Sequence, residues 1–326
     1  MDSRALVTLL ADGRAYTISE LAQQMDKSLH QVEACLASLP ALGLNVLVEA
    51  DRVQLARPIE LLDANRIRRF LSPSARQHLR QIHCEWVIDS TNQMALRGIA
   101  QEREHGHVYL SEMQTAGRGR RGRQWVSPFA GQTAMSVVWQ LPPNTADISA
   151  LSLVVGVAVC HALQGLGIAG VGLKWPNDVL AQGKKLGGIL LEMQGDPQQQ
   201  CHIVMGIGLN VALQDTSGHS IDQPWIDLHS LQPNKAISRN EVVASVLQAL
   251  FDLLVVFEAQ GFAAIKPAWQ ALDVYAGAEV MVQRGEEYIF GTTAGVDDSG
   301  ALCLDTATGR QTFYGGEVSL RPKGTL

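Results

Sequence analysis

Four arginines fall within Gly117-Arg118-Gly119-Arg120-Arg121-Gly122-Arg123, although the whole chain carries 26 lysines and arginines against 32 aspartates and glutamates. Guanidinium groups bind carboxylate and phosphate oxygens as two-pronged forks, and glycines let a backbone approach a ligand or fold over it. The segment reads either as an anion-binding loop or as a solvated basic loop. Residues 117–122 also satisfy G-x-G-x-x-G. A dinucleotide fingerprint, however, joins a strand to a helix whose N-terminus meets the pyrophosphate. Here Trp125-Val126-Ser127-Pro128-Phe129 and then a strand pattern follow, so the context does not suit that reading.

Three other clusters could meet a polar ligand. Asp89-Ser90-Thr91-Asn92 opens a helix pattern. Its hydroxyls, amide and unpaired N–H groups can converge on a ligand head, or can simply cap the helix. Lys174-Trp175-Pro176-Asn177-Asp178 combines a cation, a rigid turn and an Asn-Asp pair suited to Mg²⁺ or to an adenine or ribose edge; it is also an ordinary turn sequence. Lys184-Lys185-Leu186-Gly187-Gly188 sets a lysine just before an apolar strand, with an exposed hairpin end as the alternative.

The elements that must position these groups alternate between helix and strand patterns, which makes the chain α+β. The spacing predicts helices over 92–102, 148–167 and 239–260, the last with Ser238 and Glu241 as a capping box. Strands are predicted over 108–110, 133–139, 188–193 and 203–210. After Asp273 the pattern turns to short alternating strands broken by glycines, which suggests a small barrel. The expected division is 1–60, a connector at 61–80 broken by prolines, a main domain over 81–272, and the barrel over 273–326.

The first sixty residues read as a winged helix-turn-helix. Thr17 with Glu20 and Ser28 with Gln31 are two capping boxes, and Leu29, Val32, Leu36 and Leu39 are expected to line the inner side of the third helix. Lys27, His30 and Gln31 are its candidates to touch DNA. The electrostatics suit DNA poorly, since over residues 1–60 five basic residues face eight acidic ones, a balance of 5 − 8 = −3. No arginine stands on the outward face of the third helix to read guanine, and the wing, Ala50-Asp51-Arg52, lacks a Gly-Lys-Gly character.

The net charge of −6 argues against indiscriminate binding to nucleic acid or acidic membrane. Five dispersed cysteines without CxxC spacing suit a reduced, cytoplasmic protein. Asp2, with Asp12 and Gly13 cutting the first apolar stretch, does not suit a signal peptide, and no uncharged run approaches the roughly 20 residues of a membrane span. No titratable pair or metal cage points to a separate hydrolytic or redox activity.

Taken together and in this order, Ser90-Thr91-Asn92, the GRGRRG loop, the KWPND turn, Lys185-Leu186-Gly187-Gly188-Ile189-Leu190 and Gly206-Ile207-Gly208-Leu209-Asn210 resemble the biotin–protein ligase family along essentially the whole chain. The likeness is greatest to the bacterial bifunctional type, which also represses biotin synthesis genes. The resemblance implies a class II synthetase-like mixed α/β sheet and an SH3-like barrel. It also implies ATP, Mg²⁺ and biotin in a two-step reaction that forms biotinyl-5'-AMP. The biotin carboxyl carrier protein of acetyl-CoA carboxylase is the implied acceptor, biotin operator DNA a second partner, and a homodimer through the central sheets the assembly.

The same resemblance places Gly117, Arg118, Gly119 and Arg120 over the ligand and Ser90, Thr91, Asn92 and Gln114 at the biotin head group. Lys185 goes to the carboxyl and phosphoryl region, Trp125 and Trp225 near the adenylate, and Lys174, Asn177, Asp178 and Asn210 on the nucleotide side, with Asp178 as the Mg²⁺ candidate. Lys185, Arg118 and Arg120 are the implied catalytic cations. Three other readings stay open: a ligase with a degenerate helix-turn-helix, a biotin-sensing transcription factor without ligase activity, and a lipoate ligase. Against the last, GRGRRG stands where an RRxSGGG-type stretch is expected.

Overall fold

The computed structural model describes residues 3–101, 105–143, 145, 148–196, 198–199, 201–213, 221, 223–315 and 318–322. Its N-terminal part holds α1 (Arg4–Leu10), α2 (Ile18–Met25) and α3 (Leu29–Ser38) with β1 (Tyr16–Thr17), β2 (Val46–Glu49) and β3 (Arg52–Leu55), the strands ordered β1-β3-β2. Both capping boxes close. Glu20 N donates to Thr17 Oγ1 at 3.1 Å and Thr17 N to Glu20 Oε2 at 2.7 Å, while Ser28 N donates to Gln31 Oε1 at 2.9 Å. Val32 and Cys35 form the buried side of α3, Leu36 is half-buried, and Leu39, expected on the same helix, is buried in the turn that follows it. Leu29, expected inside, is 50% exposed and lies outside the cluster that covers the others.

This small core does not close on itself. Phe129 and Ala130 from the main domain are buried within it, Trp86 and Met113 pack on it, and the Arg4 guanidinium lies 5.2 Å from the Trp86 ring centroid. The N-terminal part is thus seated on the segment that follows the arginine loop.

The connector is more than a tether. It forms α4 (Ala64–Phe70) and α5 (Pro73–His78), each opened by a side-chain cap, from Asp63 and Ser72. Leu62, Ile67, Leu71, Ala75 and Leu79 belong to the main core. Prolines break this stretch into short helices, and its apolar spacing still gives each helix a face to bury.

The main domain is a seven-stranded sheet of order β4-β5-β6-β10-β9-β8-β7. Its strands are β4 (Gln81–Ile88), β5 (His107–Gln114), β6 (Gln132–Leu141), β7 (Val171–Lys174), β8 (Asp178–Ala181), β9 (Lys184–Gly195) and β10 (Cys201–Asn210). Of these strands only β4 and β5 pair in parallel; the other neighbours are antiparallel. One face carries Val137, Trp139, Met205, Ile207 and Ile189 against α7 (Leu151–Gly165) and α9 (Arg239–Gln260). The other face carries Tyr109, Val138 and Val204 under α6 (Thr91–Ile99), and beyond them small and polar residues. The helical stretch Ile148–Gly165, a short turn continued by α7, and α9 are each long and apolar enough to cross a bilayer by composition; in this fold most of their apolar residues pack into the core.

The helix predicted over 92–102 runs from Thr91 to Ile99, and Glu102 lies outside the described residues. Two short helices, α8 (Leu228–Leu231) and α10 (Lys266–Leu272), lead to a five-stranded antiparallel sheet of order β14-β13-β12-β11-β15. It is built from β11 (Glu279–Arg284), β12 (Glu287–Val296), β13 (Leu302–Thr306), β14 (Gly309–Phe313) and β15 (Val318–Pro322). This sheet docks beside the KWPND turn, where Trp175 Nε1 donates to Gly300 O at 3.0 Å and Val274 N donates to Leu173 O at 3.0 Å.

Candidate active site

Period-two alternation in β10 sends Met205, Ile207 and Leu209 into the core and leaves Gly206, Gly208 and Asn210 on the opposite face. The glycines are required there. A Cβ on Gly206 would run into the Asn92 amide, and one on Gly208 would come within 2.6 Å of the Trp125 ring. Gly188 of β9 lies under the same ring. These three positions form a floor that lets α6 and the arginine loop approach the sheet.

At one end of the floor, the head of α6 meets β5 and β6. Thr91 N and Thr91 Oγ1 both donate to Gln114 Oε1, at 2.8 and 3.2 Å, and Ser136 Oγ lies 2.8 Å from Thr91 Oγ1 and 2.5 Å from Asn92 Oδ1. Ser90 stands at the N-cap yet makes no capping bond, and it is buried. Capping therefore does not account for Ser90. Thr91, Asn92, Gln114 and Ser136 already bond one another, so a ligand head arriving here would join or exchange into that set.

Opposite, Lys185 Nζ lies 2.7 Å from Asp178 Oδ1 and 5.7 Å from the Trp125 ring centroid. Both members of the ion pair are largely buried, so their mutual attraction is screened less than a surface pair's. Trp125 Nε1 donates to Gln132 Oε1 at 2.6 Å, which fixes the ring over the floor. Asn177 is clamped by its Nδ2 donating to Ile189 O at 2.8 Å, and its Oδ1 accepts from Arg120 Nη1 at 3.0 Å. Asn210 Nδ2 donates to Ile226 O at 3.1 Å, and Lys185 N donates to Pro224 O at 2.9 Å, which brings Trp225 alongside Lys185. Lys174 stands opposite Asp178 in the β7–β8 ladder.

Two arginines of the loop reach across to the sheet. Arg118, still exposed, reaches Glu192, and the half-buried Arg120 reaches Asn177. Arg121 has φ +57° and Gly122 φ +71°, and Gly119 N donates to Arg123 O at 2.7 Å, so the loop folds back on itself. Burial, and then the neighbouring Arg121 charge, push Arg120 below the usual guanidinium value, with Asp178 acting in the other direction. A partly buried cation under such conditions is poised for an anion.

The structure thus brings together Thr91, Asn92, Gln114, Arg118, Arg120, Trp125, Asn177, Asp178, Lys185, Asn210 and Trp225 around one floor, with Gly117 and Gly119 in the loop above it. The biotin/lipoate A/B protein ligase family matches residues 85–210, and the biotin protein ligase C-terminal domain matches 275–321. The bifunctional ligase/repressor BirA of Salmonella typhimurium is 35% identical over 317 residues, 97% of this chain and 96% of the relative. The chain belongs to the biotin–protein ligase family.

Other likenesses agree. A biotin–[acetyl-CoA-carboxylase] ligase of Paracoccus denitrificans is 35% identical over 71% of this chain and 96% of its own length. The biotin protein ligase from Aquifex aeolicus solved in complex with biotin and ATP is 30% identical, with a TM-score of 0.65 over 75% of this chain and all of that one.

Within this biotin–protein ligase family site, sequence reasoning missed Ser136, Gln132 and Glu192. Each sits on a strand at the same parity as a floor glycine, a signal that becomes legible once the register of β6, β9 and β10 is known. A Gly208→Ala chain is expected to displace Trp125, shift its fluorescence and weaken ligand binding about tenfold or more, because the added methyl needs space the ring occupies. Unchanged emission and affinity by titration would remove the floor argument.

Proposed function

We propose that this cytoplasmic protein joins biotin to ATP, forming biotinyl-5'-AMP, and passes the biotinyl group to a lysine of the biotin carboxyl carrier protein of acetyl-CoA carboxylase. The observation that carries this reading is the convergence of Lys185, Arg120, Asn177 and Asp178 beneath Trp125, facing a polar corner at Thr91, Asn92 and Gln114. One end suits an anhydride phosphate and the other a polar ring system. All five cysteines are free, in keeping with a reducing compartment.

In the first step the biotin carboxylate attacks the α-phosphate and pyrophosphate leaves. In the second a carrier lysine amine attacks the mixed anhydride and AMP leaves. No protein nucleophile is required, so this chain's work is orientation, charge stabilisation and exclusion of water. Lys185, Arg118 and Arg120 supply positive charge, and the folded-back loop covers the anhydride. Asp178 offers one carboxylate, the donor count Mg²⁺ uses when nucleotide phosphates and water complete its shell. Bound with ATP, the ion supplies charge neutralisation. Incubated with biotin and Mg²⁺-ATP without a carrier, the protein is expected to release about one equivalent of pyrophosphate in a burst; ATP consumption that ignores biotin would contradict the reading.

We infer further that the N-terminal part is a winged helix-turn-helix on a biotin-responsive repressor that acts as a homodimer. The closed capping boxes of α2 and α3, the β2–β3 hairpin and likeness to a named ligase/repressor along 97% of the chain support this. His30 is exposed, while Gln31 spends its amide oxygen on the capping box. With a charge of −3 the module has few cations with which to neutralise DNA phosphates. Operator binding, followed by fluorescence anisotropy, is expected to weaken by less than about a thousandfold between roughly 50 and 200 mM salt. A steeper loss contradicts this account, and no specific binding with ligation intact would leave the module a packing role.

A further inference from the structure

Glu192 lies on the site face of β9, next to Val204 in the ladder and beside the position where Asn92 crosses Gly206. Both of its carboxylate oxygens lie 2.7 Å from Arg118 Nη2. Asn92 Nδ2 donates to Glu192 Oε2 at 2.7 Å, and the Gln93 amide lies against the same Arg118 guanidinium. A continuous polar path therefore runs from Gln114 through Thr91, Ser136 and Asn92 to Glu192, and from there to the first arginine of the loop.

We propose that Glu192 is a positioning residue, which holds Arg118 over the floor and ties the closed arginine loop to the corner that receives the ligand's head. This rests on the ligase reading only for what the loop covers. The tie itself is a property of the unliganded chain. The Arg118 and Glu192 side chains are 40% and 23% exposed, so an ion pair of this kind adds little to global stability. Its value is local. The loop's own bonds are few, Gly119 N to Arg123 O, Arg123 N to Arg120 O and Trp125 N to Gly117 O. Asn177 holds Arg120 and Gln132 holds Trp125, and Glu192 is the anchor of the loop's first arginine. An anionic ligand arriving at Arg118 meets a guanidinium already aimed, and shares or displaces one carboxylate oxygen.

Hydrogen exchange in the ligand-free full chain tests the tie. Glu192→Gln is expected to speed exchange of the Gly119, Arg123 and Trp125 amides about tenfold, with β9 and β10 unchanged and the unfolding midpoint unmoved. In the same variant biotinyl-AMP is expected to escape about tenfold faster in a chase without carrier. In an Arg118→Ala background, adding Glu192→Gln is expected to change neither rate, and Glu192→Asp to restore part of the protection. Unchanged loop exchange in Glu192→Gln overturns the proposal. Faster exchange in a chain that makes no adenylate would keep the tie and sink the ligase reading instead.

Discussion

Lys185→Ala is expected to lower the rate of biotinyl-AMP formation about a hundredfold or more. Losing a charge-assisted hydrogen bond costs roughly 1.5–3 kcal/mol, or about tenfold to a hundredfold. A second effect of the same sign follows from the geometry. Asp178 Oδ1 is 2.7 Å from the lysine nitrogen, so removing Lys185 leaves a largely buried carboxylate without its cation, at the place proposed for the phosphates. Lys185→Arg is expected to recover only part of the loss, since the planar fork does not replace a compact ammonium under the Trp125 ring. The measurement is pyrophosphate release in the first turnover. A variant that forms adenylate at the parent rate would strip Lys185 of its assigned role.

The second large effect concerns stability. Arg239 Nη1 lies 2.6 Å from Glu112 Oε2, with the side chains only 3% and 5% exposed. The same guanidinium donates to Glu60 O at 2.7 Å and to Gln132 O at 3.1 and 2.6 Å, while Glu112 Oε1 accepts from Leu62 N at 2.6 Å. One buried pair thus joins α9, β5, β6 and the chain leaving the N-terminal part. Breaking it from one side strands a buried charge, and Arg239→Met is expected to cost about 3–5 kcal/mol of unfolding free energy. A double change, Arg239→Met with Glu112→Leu, is expected to recover much of that but not all, because Leu62 N–H and the Gln132 and Glu60 carbonyls lose partners. Denaturant melts check both. Gln132 also holds Trp125, so Trp125 emission in Arg239→Met is expected to change at low denaturant, before global unfolding. A change below about 1 kcal/mol would show the network to be solvated.

What could be read from the sequence was local chemistry. The capping boxes at Thr17 and Ser28 needed only four residues each, and both closed as expected. Ser238 made its half of a third, with Glu241 N donating to it, while its hydroxyl turned to Glu60. The motif residues were legible because five clusters recur in one order, although each alone also suits a cap, a turn or a solvated loop. The partners were not. Glu192 and Ser136 are ordinary in their own strands and acquire a role only when β9, β6 and β10 stand in register. Leu29 misled because helical spacing gives a face but not what covers it. Strands β4, β7 and β8 were not legible in the sequence, because β4 mixes charged and apolar residues without clean alternation and the other two span four residues each. The loop's four arginines looked equivalent until the fold gave Arg118 and Arg120 side-chain partners in Glu192 and Asn177, with Arg120 the one drawn partly under cover.

Transfer of biotin to a carrier can be weighed directly. The purified chain is incubated with biotin, Mg²⁺-ATP and a biotin carrier domain, and the carrier's intact mass is recorded. The expected result is a gain of one biotinyl group that requires all three additions and falls away in Lys185→Ala. A carrier whose mass stays unchanged, from a protein that still binds biotin tightly by calorimetry, would contradict it and leave a biotin sensor in place of the ligase.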